Sequence, residues 1–351
     1  MKRLWPAMVL AVMLSAALFP AAGMAQQNLP QHHALQWLES QQTADGGFSN
    51  GASAEGSLSV TADAIVAIVS GGENPRQWRN NGHTPVDFLE AQVGAGGTDG
   101  AGQAAKAALA VVATGDDPKS VAGVDLLSLI QNDYDPDTGY GQGPFDTALS
   151  ILAIHAAGGQ INPGALGILL GYRLADGSYS FNGDQTPGAG DSNTTAMVVQ
   201  ALVAAGASPS DLQPSLSYFK SSQNDDSGWT YQKPSPYGEA TDANSTALVA
   251  QALLASGQNL ADWGDPIRPL LALQQDDGGF AFNQDTPQSN VLATIGVVPA
   301  LGGITLVNIP VLPSENEPAS GPDVPITLLV IGLLAVLFII AAIANRTSNR
   351  S

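Results

Sequence analysis

Between residues 30 and 303 one pattern of apolar and polar positions returns six times. A polar residue is followed twelve positions later by glycine, and the positions between are mostly Ala, Val, Leu and Ile. The pairs are Ser59–Gly71, Gln103–Gly115, Asp146–Gly158, Thr194–Gly206, Ser245–Gly257 and Asn290–Gly302. Five of the six polar residues are good helix N-caps. Glycine suits the left-handed residue that ends a helix. Each stretch is therefore predicted as a helix of about eleven residues. Helices that are rich in alanine and almost uncharged are buried on nearly every side.

A second helix precedes each of these. Five begin with a capping residue followed by proline: Thr84-Pro85, Asp117-Pro118, Asn162-Pro163, Ser208-Pro209 and Asp265-Pro266. Proline fits the first helical position, where its missing N–H costs nothing. The first of the set begins near Pro30. These helices carry charge and amphipathic spacing, as in Leu35 and Leu38 beside Glu39, and read as outer helices. Glycine-rich turns with an aromatic follow them. Gln42-Thr-Ala-Asp45-Gly46-Gly47-Phe48 and Gln275-Asp276-Asp277-Gly278-Gly279-Phe280 are the sharpest, whereas the second copy, Gln92 to Gly100, lacks the aromatic. An open solenoid needs polar faces at both ends, and neither terminal repeat has one. The expectation is an all-α fold: an (α/α)6 toroid of six helical hairpins with the Ala-rich helices inside.

The flanks read as targeting segments. Lys2 and Arg3 precede an apolar run from Ala7 to Phe19, with small residues up to Ala25. That is the layout of a signal peptide over 1–25, with an uncleaved anchor as the alternative. Ile326 to Ala344 carries no charge, and Arg346 and Arg350 follow it. At 1.5 Å per residue the run is about 28 Å long, enough for a transmembrane helix with its basic end in the cytoplasm. The expected organisation is a toroid over 26–309, a Pro-rich stalk over 310–325, the span over 326–344 and a cytoplasmic tail over 345–351. The toroid would then sit outside a cell membrane on a single pass. Leu312-Pro313-Ser314-Glu315-Asn316 loosely resembles a sortase signal, but the Thr-Gly is missing.

Composition narrows the chemistry. The 351 residues hold Lys+Arg 12 against Asp+Glu 31, a net charge of −19, and no cysteine. Nucleic acid and anionic lipid surfaces want basic patches, so both are poor partners. Disulfides, Cys-ligated zinc, iron–sulfur clusters and thiol nucleophiles are excluded. His32, His33, His83 and His155 are not spaced as a metal site, and no metal is expected. His155, inside the third inner helix, reads as a core histidine rather than a ligand. Asn132-Asp133-Tyr-Asp135-Pro-Asp137 alternates carboxylates as calcium loops do, but the twelfth position would be Pro144 instead of glutamate, so the acids read as turn residues. Trp229, Tyr231 and Tyr237 share one loop, either as a stacking platform or packed over the outer helix.

The turns and the Asp/Asn-Thr-Ala helix starts resemble the terpenoid cyclase and protein prenyltransferase α/α toroid superfamily, with its squalene-cyclase-type repeats. The resemblance covers about residues 30 to 303. It implies the fold far more than a function. Class II cyclases use an Asp-x-Asp-Asp acid, and no such run occurs here. Prenyltransferases hold zinc with Asp, Cys and His, and this chain has no Cys. Ala293-Thr294-Ile295-Gly296-Val297-Val298-Pro299-Ala300-Leu301-Gly302-Gly303 is similar to the last inner helix of the cobalamin carriers, the intrinsic factor and transcobalamin family. Asn193-Thr194-Thr195-Ala196 and Asn244-Ser245-Thr246-Ala247 resemble that family's inner-helix starts. The resemblance implies a corrinoid as ligand, bound over the mouth of the ring. The carriers add a β domain that covers it, whereas only a stalk follows Gly303 here.

In a toroid the N-termini of the inner helices meet on one rim. Asp63, Asp146, Asp191, Asn193, Asp242, Asn244 and Asn290 are the candidate ligand-binding residues, with helix capping as the competing role for each. No catalytic residue is assigned. The leading reading is a ligand-binding protein that hands a corrinoid or similar molecule to a membrane transporter. The alternatives are a divergent cyclase-like enzyme, hydrolase or lyase with Asp146, Asp191 or Asp242 as general acid, and a structural surface protein.

Overall fold

A computed structural model describes residues 29–235 and 238–314. The signal-peptide run, Tyr237, the apolar run 326–344 and the basic tail lie outside the described residues. Among the described residues no helix is long and apolar enough to cross a membrane.

Twelve α-helices alternate along the described chain. They are α1 (Leu29–Ser40), α2 (Leu58–Ser70), α3 (Pro85–Gly94), α4 (Gly100–Ala113), α5 (Leu126–Asn132) and α6 (Pro144–Ala156). Then come α7 (Ala165–Gly171), α8 (Ser192–Ala204), α9 (Pro209–Ser222), α10 (Ala243–Ala255), α11 (Ile267–Ala272) and α12 (Val291–Leu301). Two short antiparallel ribbons sit in turns. One pairs β1 (Tyr134–Asp135) with β2 (Gly139–Tyr140), the other β3 (Ala281–Asn283) with β4 (Thr286–Ser289).

The even-numbered helices pack side by side in chain order, and α12 then packs against α2, so the inner ring closes. Each odd-numbered helix packs outside the inner helix that precedes it. α1 has no predecessor and packs on α12 instead. Two amides fasten this seam: Gln31 Nε2 donates to Val298 O at 2.9 Å, and Gln274 Nε2 to Pro30 O at 2.7 Å. Alanine makes the inner ring tight. Ala104, Ala105, Ala107, Ala108 and Ala110 of α4 are all fully buried, and side chains this small let helix backbones approach closely.

The turns explain the aromatics. Phe48, Tyr140, Tyr179, Trp229 and Phe280 are fully buried. The backbone N–H of each donates to a threonine Oγ1 in the first turn of the next inner helix: Thr61, Thr147, Thr195, Thr246 and Thr294, at 2.9–3.1 Å. The second copy has no aromatic, and Gln103 stands where the threonine would be. Gly46 and Gly278 adopt positive φ in these turns. A side chain there would strike the backbone of a neighbouring repeat, Thr84 O at 2.7 Å and His33 O at 2.6 Å.

Two expectations need correction. Ser59, Gln103, Asp146, Thr194 and Ser245 lie inside first turns rather than at caps. The caps are Ser57, Asp99, Gly143, Asp191 and Asp242. The third outer helix does not start at Pro118. It starts at Leu126, where Asp125 accepts from Ser128 N–H, because Val121 and Val124 first exchange two backbone hydrogen bonds.

Candidate functional site

The ring encloses a chamber of 410 Å³ whose walls follow one helical register. The second residue after the cap faces inward, and so do the residues four and seven further on. In α2 these are Ser59, Asp63 and Val66. In α10 they are Asn244, Leu248 and Gln251, while α8 contributes Asn193 and Met197. On α12 the wall is Leu292, Ile295, Gly296 and Pro299. The i, i+4, i+7 spacing puts these side chains on one face of each helix, so the chamber is about 10 Å deep. A lobe of 400 Å³ adjoins it and shares Ser59, Lys106, Phe145 and Leu149. It opens beside the small residues Gly100, Ala101 and Gly102 of α4, the repeat without a turn aromatic.

Most of the wall is aliphatic, and its polar groups are few. Lys106 Nζ donates to Asp63 Oδ2 at 2.5 Å, and this pair supplies both charges on the chamber wall. Asn193 and Asn244 line the chamber, yet the Oδ1 of each is buried with no hydrogen-bond partner. Gly296 makes room for the second amide: a Cβ there would lie 3.2 Å from Asn244 Oδ1. A buried carbonyl oxygen without a partner forfeits about 1–3 kcal/mol.

The other candidates lie elsewhere. Asp191, Asp242 and Asn290 do not line the chamber. They cap α8, α10 and α12, each accepting from a backbone N–H three residues on, at 2.7 Å, 2.7 Å and 3.0 Å. Asp146 lines the lobe, where its Oδ2 accepts from Gln142 N–H at 3.1 Å. Asp133, from the loop with alternating acids, accepts from Ala101 N–H at the start of α4. Among the described residues no group of three or more His, Asp and Glu is placed to hold a metal. His155 is exposed in the last turn of α6, not in the core. Trp229 is fully buried and donates through Nε1 to Phe219 O at 2.8 Å, so it is no stacking platform, whereas Tyr231 is half exposed.

Burial perturbs the acids behind the rim. It pushes the Asp191 carboxyl up to about 6, against the pull of the Thr194 N–H. The Tyr231 phenol beside it is raised to about 12, by burial and then by the Asp191 charge. Burial also raises Asp242, which Ser245 holds through both backbone and hydroxyl. A general acid needs a raised pKa and access to substrate. Asp191 and Asp242 have the first, but neither faces the chamber.

Met197, Leu248, Gln251, Lys106 and Leu306 were not singled out from sequence. Met197, Leu248 and Gln251 stand four or seven residues after Asn193 or Asn244, which is a usable signal, whereas nothing in the sequence marks Lys106 or Leu306.

No protein-family model matches the chain, and no curated protein matches it in sequence. Solved structures do match in shape. Type II terpene cyclase MstE from Scytonema aligns with a TM-score of 0.55 at 15% identity, over 79% of this chain and 97% of that one. Haptocorrin in complex with Cbi aligns at 0.52 and 15% identity, over 80% of this chain and 68% of its own. An unsaturated glucuronyl hydrolase specific for heparin aligns at 0.56 and 10%, over 79% and 96%. A closed inner ring, its outer layer and these likenesses together place the chain in the α/α toroid fold.

Proposed function

We propose that this protein binds a small molecule in its central chamber and does not transform it. The observation that carries this reading is the pair of chamber-lining amides, Asn193 and Asn244, whose Oδ1 atoms have no protein partner in a mostly apolar wall. A ligand with an apolar body and amide or hydroxyl groups satisfies both features. The volume of 410 Å³ falls in the range of small-molecule sites. A corrinoid is the first candidate, because its propionamide arms both donate and accept. Its macrocycle exceeds the chamber and would lie across the mouth, with arms reaching down to the two amides. The similarity at Ala293–Gly303 and the structural likeness to haptocorrin support that choice.

The flanking segments extend the proposal. A signal peptide over 1–25 and a span over 326–344 would tether the toroid outside a cell membrane, where it passes its ligand to a transporter subunit. The apolar run and its basic flank support this. A hydrolase or lyase is the second reading, favoured by one observation, the carboxyl of Asp191 raised to about 6 beside the Tyr231 phenol. A structural role leaves the two amides unexplained.

The test is calorimetric titration of the full chain with cobinamide and cobalamin. With one face covered, a Kd near the micromolar range is expected, roughly −8 kcal/mol. Changing both Asn193 and Asn244 to Ala should weaken binding at least tenfold. No response up to millimolar ligand, or an unaltered response from the double variant, overturns the reading.

A further inference from the structure

The chain does not leave the ring where α12 ends. After Gly303 it turns back as Ile304–Leu312 and runs against the C-terminal ends of the inner helices. Two backbone groups anchor this strap. Leu306 N–H donates to Gln200 Oε1 of α8 at 2.9 Å, and Leu312 N–H to Ala113 O, the last residue of α4, also at 2.9 Å. Leu306, Val307, Ile309 and Leu312 pack on the core beside Ala156, Val203 and Ala204.

The strap is not laid down for hydrogen bonding alone. Gln200 is fully buried and its Nε2 has no partner, and the buried Thr305 hydroxyl has none either. Both orphaned groups cost free energy. What the strap does achieve is to put one side chain into the chamber. Leu306 lies in the wall with Val66, Gln251 and Pro299, the innermost residues of the three stripes on α2, α10 and α12.

We infer that the strap is the floor of a blind chamber and that Leu306 sets the length of the apolar group it admits. The inference rests on the reading that the chamber takes a ligand. A molecule whose polar end stays level with Asn193 and Asn244 carries its apolar end past Met197 and Leu248 to Leu306. Each further methylene buried on that path adds about 0.8 kcal/mol, close to fourfold in affinity. The gain stops when the group meets Leu306. Gln200 is a positioning residue, since it holds the Leu306 backbone without facing the chamber wall.

The experiment is calorimetric titration of the full chain with straight-chain primary amides from hexanamide to dodecanamide. Affinity should climb about fourfold per methylene and then level off. Leu306→Ala removes three heavy atoms from the floor and should move the plateau two or three methylenes longer. Leu306→Trp should move it shorter. Ile309→Ala loosens the strap without altering the chamber wall and should leave the plateau where it was. A plateau that stays put in both Leu306 variants overturns the inference, as does an equal shift in Ile309→Ala. If the unaltered chain binds no amide of any length but does bind cobinamide, the chamber floor is irrelevant to its ligand. If it binds neither, the ligand-binding reading falls first and takes the inference with it.

Discussion

At the C-terminal end of α8, Gly206 N–H donates to Val203 O and Ala207 N–H to Leu202 O, around a glycine at φ 79°. α10 ends the same way, with Gly257 N–H to Leu254 O and Gln258 N–H to Leu253 O around φ 76°. All six inner helices share this closure. Their N-terminal ends do not agree. Asp191, Asp242 and Asn290 accept a hydrogen bond from the first turn, whereas Ser57 and Asp99 make no such bond and Gly143 has no side chain to offer. One end meets only the needs of the backbone, for which a single motif suffices. The other surrounds the mouth of the chamber, and its side chains differ because each faces a different neighbour.

That contrast can be attacked in order of effect. The rim does have one shared device, the aromatic held by a threonine, and it should be the most costly thing to remove. Trp229→Ala is expected to destabilise by about 3–5 kcal/mol in urea unfolding, while α4 tolerates having no aromatic at all. A loss under 1 kcal/mol would show that the device is ornamental.

Next comes pH, because buried acids occur at the rim and not at the opposite end. The Asp191 carboxyl is raised from 3.8 to about 6 in the folded chain. Folding therefore binds the proton more tightly. The contribution is fully present below pH 4 and is lost as pH rises through 6, about 3 kcal/mol in all. Asp191→Asn keeps a good cap and removes the titration. It should flatten the stability profile between pH 4 and 6, leave pH 4 nearly unchanged and raise stability at pH 7. A slope that survives the substitution assigns it to another group, Asp242 first.

The smaller effects test uniformity itself. Gly206→Ala and Gly257→Ala should each cost about 1–2 kcal/mol, equal within a few tenths, since a Cβ at either site meets nothing within 4 Å. At the rim, Asp242→Ala should cost up to about 2 kcal/mol and Ser57→Ala close to nothing. Equal losses at the two caps would erase the distinction between the ends.

The same contrast explains what could be read from the residues alone. Six alanine-rich stretches closed by glycine are visible without a structure because the left-handed closure demands one residue type. Gly115, Gly158, Gly206 and Gly257 are the positive-φ residues, as the spacing implies. At Gly71-Gly72 and Gly302-Gly303 the second glycine takes the role, and a glycine pair cannot say which. Asn290 is the cap of α12 as expected, but the other five starts lie two to four residues before the expected positions, because more than one residue near each start can cap a helix. Thr195 and Thr294 look like caps, but their hydroxyls bond back to Asp191 O and Asn290 O. Pro118 failed as a helix start because a proline permits a helix without requiring one. The site was legible at Asp63, Asn193 and Asn244, polar residues in apolar helices. Its aliphatic lining was not, because wall and core have the same chemistry and differ only in what they face.

The seam at Gln31 and Gln274 also governs when the molecule can be completed. The helix that α1 packs on most is α12, some 260 residues later in the chain, although Leu35 also meets Gly71 at the end of α2. An array open at its ends can settle repeat by repeat as it is synthesised, but here the first helix must wait for the last to cover the rest of its apolar face. Contacts this distant in sequence slow folding and prolong the exposure of sticky surface. A truncation after α10 would remove two helices and also strip α1 of the helix it packs on most. The ring is thus an assembly whose earliest and latest parts are one interface, and its weakest moment comes during synthesis, before the circle has an end to meet.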